Sequence, residues 1–156
     1  MSVDPLQMGK RSGGRADLTY SFPVGASEVF KKKGGGFVIE DASGRVEIAT
    51  AAATNIIGAA LLFEDLTASA TEGGTTVQVD LDLSGIYELP VSGTYLATMR
   101  GKTCDIIITS NVQYANVAAT AIDILEIVDA GFTNAAGTIT TVLVKLFQKN
   151  LTRTGV

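Results

Sequence analysis

The sequence contains no histidine and no tryptophan, one cysteine and three prolines, and charged residues occupy only 18% of its 156 positions. Without histidine the chain lacks the commonest general base and the usual activating partner of a serine or cysteine nucleophile. It also lacks the commonest transition-metal ligand. A single cysteine excludes an internal disulfide bond. These absences favour a protein that is not an enzyme and that has no cofactor and no bound metal.

Charge and hydropathy exclude two further classes. The formal net charge is -4, whereas a nucleic-acid-binding body normally presents a basic face. No apolar run approaches the ~18 residues that a membrane-spanning helix needs. The opening residues MSVDPLQMGKRSGG are polar, unlike a signal peptide. We therefore expect a soluble protein that is made in a cytoplasm and binds neither nucleic acid nor membrane.

Three local patterns could carry chemistry, and each has a plainer interpretation. Residues 100–103 read Arg-Gly-Lys-Thr, but a phosphate-binding loop needs glycine where this chain has Leu96. Cys104 lies in an apolar segment that predicts a buried structural thiol. Asp80 and Asp82 share one face of a predicted strand and could hold calcium. Alternating acids on the wet face of a strand more often keep that face soluble.

Short segments with strand character dominate from Phe37 onward. Residues 76–83 alternate between polar and apolar side chains, the pattern of a half-buried strand. Two apolar triplets flank the turn tetrad 41–44 and predict a hairpin. The apolar run 56–63 predicts a strand buried on both faces, and further strands are predicted at 104–109, 122–128 and 139–147. Only Gly93 to Arg100, capped by Ser92, has helical character. The sequence thus predicts an all-β fold, a small antiparallel β-barrel or sandwich of seven or eight strands with one short helix.

The N-terminal region differs from the rest in composition. Residues 1–35 are rich in glycine, carry two of the three prolines and have weak periodicity. Residues 1–33 have six basic and three acidic residues, a net +3; the remaining 123 have six basic and thirteen acidic residues, a net −7. We predict an extended basic arm at 1–35, a β-domain at 36–150 and a short tail at 151–156. Such an arm could fold back on its own domain, lie across a like subunit, or be a solvated terminus.

The polar faces carry hydroxyl groups more than charges, as at Thr138, Thr140 and Thr141. A neutral surface of small residues suits close packing against other subunits, because little charge must be desolvated. The competing interpretation is that threonine and valine simply favour strands.

Four segments together resemble a known family, and they are found at 36–39 (GFVI), 44–51 (GRVEIATA), 55–60 (NIIGAA) and 101–106 (GKTCDI). Their order is similar to that of the small head-decoration (cement) proteins of tailed bacteriophages, over roughly residues 34 to 148. The resemblance implies a small β-barrel on the outside of an icosahedral capsid, often a trimer, with a terminal arm that grips the shell or a neighbour. It implies the major capsid protein and further copies of the chain as partners, a virion location, and no catalytic residues.

An arm that becomes ordered on binding must bury apolar anchors, because fixing its backbone costs roughly 1–2 kcal/mol per residue. The predicted anchors are the large apolar side chains of the arm: Leu6, Met8, Leu18, Tyr20, Phe22 and Phe30. The predicted basic contacts are the arm's cationic side chains: Lys10, Arg11, Arg15, Lys31, Lys32 and Lys33. Strand addition by residues 18–22 to the sheet edge of a neighbour is the expected mode.

Two other classes remain open at this point. The chain could be a tail, fibre or adhesin component of a virion, although an adhesin usually exposes more aromatic side chains for sugar stacking. It could also be a stand-alone ligand-binding or enzymatic barrel, which the lack of histidine and of a polar constellation disfavours.

Overall fold

The computed structural model describes residues 9–12, 19–32, 36–51, 53, 55–82 and 84–147. The described part contains thirteen β-strands and a single turn of 3-10 helix, so the all-β prediction is confirmed. In chain order the strands are β1 Gly9–Ser12, β2 Thr19–Pro23, β3 Val29–Phe30, β4 Phe37–Glu40, β5 Val46–Ile48, β6 Ile56–Leu61, β7 Leu66–Thr67, β8 Thr76–Asp80, β9 Ile86–Ser92, β10 Thr103–Thr109, β11 Val112–Asn116, β12 Leu125–Ala130 and β13 Thr141–Leu146.

The last five strands form a closed barrel, here called the C-terminal barrel. Their order is β9-β11-β10-β12-β13, and β13 pairs back onto β9 to close the ring. All of these pairs are antiparallel except β11 with β9, which is parallel. Strand β1 adds to β9 in antiparallel orientation, beside the pairing of β9 with β11. Closure removes the free sheet edges that an open sheet would present.

Five of the earlier strands form a second sheet, here called the N-terminal sheet. Its order is β2-β8-β6-β4-β5, with every neighbouring pair antiparallel. A parallel bridge between Val24 and Val46 joins its two edge strands, so this sheet also rolls up. A two-stranded ladder of β3 and β7 lies beside it.

The strands with a clear period of two form where the sequence predicts them. In β8 the side chains of Val77 and Val79 are buried, while Thr76 and Gln78 are exposed. The predicted hairpin is the β4–β5 pair, and the Asp41 carboxylate supports its turn by accepting the N–H groups of Ser43 and Arg45. In both places the observed structure is the one that the alternation of polar and apolar residues, or the turn-forming residues, predict.

Two expectations are wrong, one about a helix and one about the burial of a strand. The predicted helix at Gly93 to Arg100 is one 3-10 turn at Ala97–Met99, and Ser92 is the last residue of β9 rather than a cap. The reason lies in Gly93, whose φ of +93° lies outside the helical region, and in Tyr95, which is buried and so holds the chain against the barrel. The run 56–63 was expected to be buried throughout, yet Phe63 is 93% exposed.

The predicted arm is shorter than its composition indicates. Thr19–Pro23 forms β2 and pairs along its whole length with β8 of the same chain, rather than with a neighbour. Phe30 has no exposed surface and lies in the core with Val24 and Val77. The folded body therefore begins well before the predicted boundary at residue 35, because these apolar side chains are buried within the chain itself. Residues 148–156, which include the predicted tail, lie outside the described residues.

One core joins the N-terminal sheet to the C-terminal barrel. Phe37 of β4 and Tyr87 of β9 make an edge-to-face ring contact with centroids 5.1 Å apart. Beside them Gln113 of β11 is fully buried. Its side-chain oxygen accepts the N–H of Phe37 at 3.0 Å, and its side-chain nitrogen donates to the carbonyls of Phe37 at 3.1 Å and Ala49 at 2.9 Å. The amide thus fixes the two units to each other through the backbone.

We expect Gln113→Leu to lower the free energy of unfolding by about 3 kcal/mol. Leucine cannot pair with the Phe37 N–H and the Ala49 carbonyl that Gln113 binds, and each unsatisfied buried group costs roughly 1–3 kcal/mol, whereas the Phe37 carbonyl keeps its bond from the Ala49 N–H at 2.8 Å. Urea denaturation measures the loss. The control is Gln78→Leu, the same change at an exposed strand position, which we expect to shift stability by less than about 0.5 kcal/mol. Equal effects of the two substitutions would contradict the role of Gln113.

Candidate interaction surface

The structure places the described apolar anchors in different environments. Tyr20 is 65% exposed and makes an edge contact with the ring of Phe22, whose centroid is 5.4 Å away. Phe22 is half-buried against the core of the N-terminal sheet, and Phe30 lies inside that core. The prediction that Phe30 binds a partner is therefore wrong, because none of its surface is accessible. Leu6, Met8 and Leu18 lie outside the described residues.

The predicted basic contacts are also dispersed. Asp65 binds Lys31 and Lys32: its carboxylate accepts the backbone N–H of Lys32 at 2.9 Å and lies 3.4 Å from the Lys31 ammonium. This ion pair is largely exposed and so contributes little stability. Lys10 and Arg11 belong to β1, which pairs with the chain's own β9. Arg15 and Lys33 lie outside the described residues.

Two large apolar side chains, Leu61 and Phe63, are exposed on the outer side of the N-terminal sheet, and the sequence analysis did not predict either as a contact. Leu61 of β6 is paired with Gln78 of β8, and Gln78 with Ser21 of β2. Directly opposed residues share a face, so these three side chains form a row on the outer surface. Phe63 follows on the same side, and a shallow depression of about 210 Å³ is lined by Leu61, Phe63 and Gln78 among others. We call these four residues the outer row. The sequence signal was the apolar run at 56–63, misinterpreted as wholly buried.

The only thiol of the chain is protected from solvent. Cys104 lies on β10 with no exposed surface, and burial, with a smaller effect of the neighbouring Asp105, raises its pKa from 9.0 to about 12. A thiol in this state is neutral at physiological pH, and the thiolate is the reactive form. The structure agrees with the sequence interpretation of Cys104 as a structural residue.

The buried acids Asp105 and Glu88 accept hydrogen bonds from other groups of the fold. The Asp105 carboxylate accepts the N–H groups of Ala121, Ile122 and Asp123 at 2.9 to 3.0 Å and so fixes the loop before β12. Glu88 accepts the hydroxyl of Thr141 at 2.6 Å. Both acids have burial and partners that suit a structural role.

The pair Asp80 and Asp82 shapes a turn. Asp80 accepts the N–H of Asp82, and Asp82 accepts the N–H and hydroxyl of Ser84. Asp80 is buried, contrary to the expectation that it lies on a wet face. Burial of Tyr87, together with these two carboxylates, raises the pKa of its hydroxyl far above the usual value. Within the described residues, no three acids or thiols come close enough to form a metal site.

A second surface depression, of about 300 Å³, lies between the loop that follows β9 and the turn that precedes β13. Its lining includes Tyr95, whose hydroxyl donates to Asp129 at 3.3 Å, and Asp129 also binds the Arg100 guanidinium at 2.8 Å. The N–H of Ala130, with the contribution of Arg100, lowers the pKa of Asp129. The arrangement stabilises an ionised carboxylate and offers no general base, since a base must take up a proton near the working pH.

Comparison with protein families, with curated proteins and with solved structures finds no match for this chain. The resemblance to head-decoration proteins therefore stays a prediction. In the described part of the chain, no helix is long and apolar enough to cross a membrane. The described surface is dominated by strand faces rather than by a site with converging polar groups.

We expect folding stability to fall as the pH rises from 9 to 12, in part through Cys104. The thiol ionises near 9.0 in the unfolded chain and near 12 in the folded one, so the unfolded state releases its proton first and is favoured by the rise. Cys104→Ala should make the fall of the unfolding free energy with pH shallower by up to about 1.4 kcal/mol per pH unit. Denaturant unfolding at a series of pH values measures it.

The matched control for this experiment is Val142→Ala, which also leaves a cavity at a fully buried position but removes no ionisable group. It should keep the slope of the unsubstituted protein. Identical slopes for Cys104→Ala and the unsubstituted protein would show that the thiol does not titrate as its burial requires.

Proposed function

We propose that this chain is a structural virion protein that binds the outside of an icosahedral phage capsid as a homo-oligomer, a trimer by analogy with the decoration proteins it resembles. It stabilises the shell and catalyses no reaction. The observation that supports the proposal most is the outer row, in which Phe63, 93% exposed, follows Leu61, 42% exposed, beside the uncharged Gln78 and Ser21. Large exposed apolar side chains grouped in this way mark an interaction surface.

The energetics of such a surface suit a protein that is bound in many copies. Covering a phenylalanine or leucine side chain contributes roughly 1.5–3 kcal/mol. The outer row itself carries no charge, and Glu64, which lines the same depression, is exposed, so a partner that covers the row can leave this carboxylate at the rim in contact with water. A few apolar contacts per copy, repeated over a symmetric shell, stabilise the whole assembly through its many equivalent sites.

A clamp on a shell must resist deformation, and the described core provides for that. The Gln113 hydrogen bonds and the Phe37–Tyr87 contact tie the two sheets into one body. Strand β1 pairs with β9 and lengthens the same body at its N-terminal side. Because residues 19–32 are also folded into the body, the proposed grip on the shell is assigned to strand faces and edges rather than to a long arm.

The test of this proposal is the copy number of the chain in purified particles of the virus that encodes it. Quantitative mass spectrometry against the major capsid protein should find hundreds of copies in a fixed, simple ratio to the shell subunit. A handful of copies per particle would assign the chain to the tail or fibre instead. Its absence from particles would contradict a virion role altogether.

We further expect Phe63→Ser to lower the affinity for particles that lack the protein by about tenfold or more, because the side chain would lose about 1.4 kcal/mol or more of apolar contact. Quantitative mass spectrometry of particles after incubation and washing gives the bound fraction. The control is Leu96→Ser, since Leu96 is also exposed but lies on the loop before the 3-10 turn. Equal occupancy by Phe63→Ser and the unsubstituted protein would assign binding to another face.

A further inference from the structure

The N-terminal sheet and the C-terminal barrel have the same topology. Taken in chain order, the five strands are β2, β4, β5, β6 and β8 in the first unit and β9 to β13 in the second. In both units the first strand pairs with the third in parallel and with the fifth in antiparallel orientation. In both, the second strand lies between the third and the fourth, and the fourth pairs with the fifth. The ring order is therefore identical.

Sequence and register support an internal repeat. Residues 19–24 read TYSFPV and residues 86–91 read IYELPV; residues 75–81 read TTVQVDL and residues 140–146 read TTVLVKL. These segments form the first and last strands of their units. The cross-strand pairs match position by position: Tyr20–Val79, Phe22–Val77 and Pro23–Thr76 in the first unit, and Tyr87–Val144, Leu89–Val142 and Pro90–Thr141 in the second.

The two units differ at one edge. In the second unit β1 covers β9 along Ile86–Glu88, and Tyr87 is 2% exposed. The equivalent stretch of the first unit is Thr19–Ser21, where Tyr20 is 65% exposed. No strand of the described residues pairs with this stretch on the side away from β8. Within the described residues, the first unit thus lacks a counterpart of β1, the strand that pairs with the edge of β9.

The backbone at this edge is oriented to accept a strand. Val24 donates its N–H to Thr75 on the β8 side at 2.8 Å. Successive residues of a strand direct their N–H and C=O groups to opposite edges, so Thr19 and Ser21 direct theirs away from β8. They correspond in register to Ile86 and Glu88, which pair with Ser12 and Gly9.

We propose that the edge at Thr19–Ser21 binds an extended, basic segment of another protein, which adds to β2 as an antiparallel strand. Within the described residues these two equivalent edges have one strand between them, β1, and it binds β9. The segment that fits the completed edge reads Gly-Lys-Arg-Ser. Residues 34–156 have six basic and thirteen acidic residues, a net −7, which favours a cationic donor. That the donor is the shell protein rests on the proposed function; the edge itself does not.

The experiment uses the full-length protein and a synthetic peptide, LQMGKRSGG, which contains the segment that completes the second unit. Amide hydrogen exchange is followed by NMR while the peptide is added to millimolar concentration. Exchange of the Thr19 and Ser21 amides should slow by at least about tenfold at saturation. Signals of Ile86 and Glu88 report separately whether the peptide displaces β1.

Two controls separate backbone pairing from other binding. Ser21→Pro removes the N–H that faces the edge and should abolish the protection of Thr19, whereas Ser21→Thr keeps that N–H and should retain it. A peptide N-methylated on the residues that would pair with β2 should fail to protect the unsubstituted protein, which makes the test independent of how Ser21→Pro folds.

Three outcomes would overturn the inference. One is unchanged exchange at both amides with saturating peptide, and another is equal protection by the N-methylated peptide. The third is protection that is present without peptide and rises with protein concentration, which would assign the edge to a second copy of the chain. None of these outcomes alters the copy number in particles, so the proposed function is tested separately.

Discussion

The buried side chain of Gln113 is the contact on which the arrangement of the two units depends. Its amide has the same donor and acceptor groups as a peptide unit, and it uses both on the backbone at Phe37 and Ala49. Without it, the N–H of Phe37 at the start of β4 and the carbonyl of Ala49 directly after β5 would lose their partner inside an apolar core, at a cost of roughly 1–3 kcal/mol for each group. The Phe37–Tyr87 ring contact lies beside these bonds.

The contact at Gln113 limits the kinds of recognition that the molecule can carry out. With the two units fixed and Cys104, Asp80 and Asp105 buried, the described residues present strand faces, turns and open strand edges, among them that of β2 at Thr19–Ser21. Such a surface suits recognition by shape, apolar contact and backbone pairing. Equivalent residues of the repeat have different environments: Tyr87 lies in the core against Phe37, on a strand that also pairs with β1, whereas Tyr20 lies on a strand edge to which no described strand is added.

Much of the fold can be predicted from the sequence, but the strands β9 and β11 at its centre cannot. In β8 and in β13 the buried valines stand at every second position, so the sequence predicts both strands. The residues of the turn at Asp41 to Gly44 predict the hairpin. Strand β9 pairs on both edges, yet it contains Pro90; β11 reads Val-Gln-Tyr-Ala-Asn, with its glutamine turned inward. Propensity and period both fail there, because tertiary pairing decides the structure. The repeated segments at 19–24 and 86–91 were a usable signal for the duplication, and for the inclusion of residues 19–32 in the body.

We expect the two units to unfold as one cooperative body, because Gln113 joins them. Differential scanning calorimetry tests it most directly, by comparing the calorimetric enthalpy of unfolding with the van't Hoff enthalpy. We expect a single transition in which the two enthalpies agree. Two resolved transitions, or a calorimetric enthalpy about twice the van't Hoff value, would show that the units unfold independently and that the joint does not couple them.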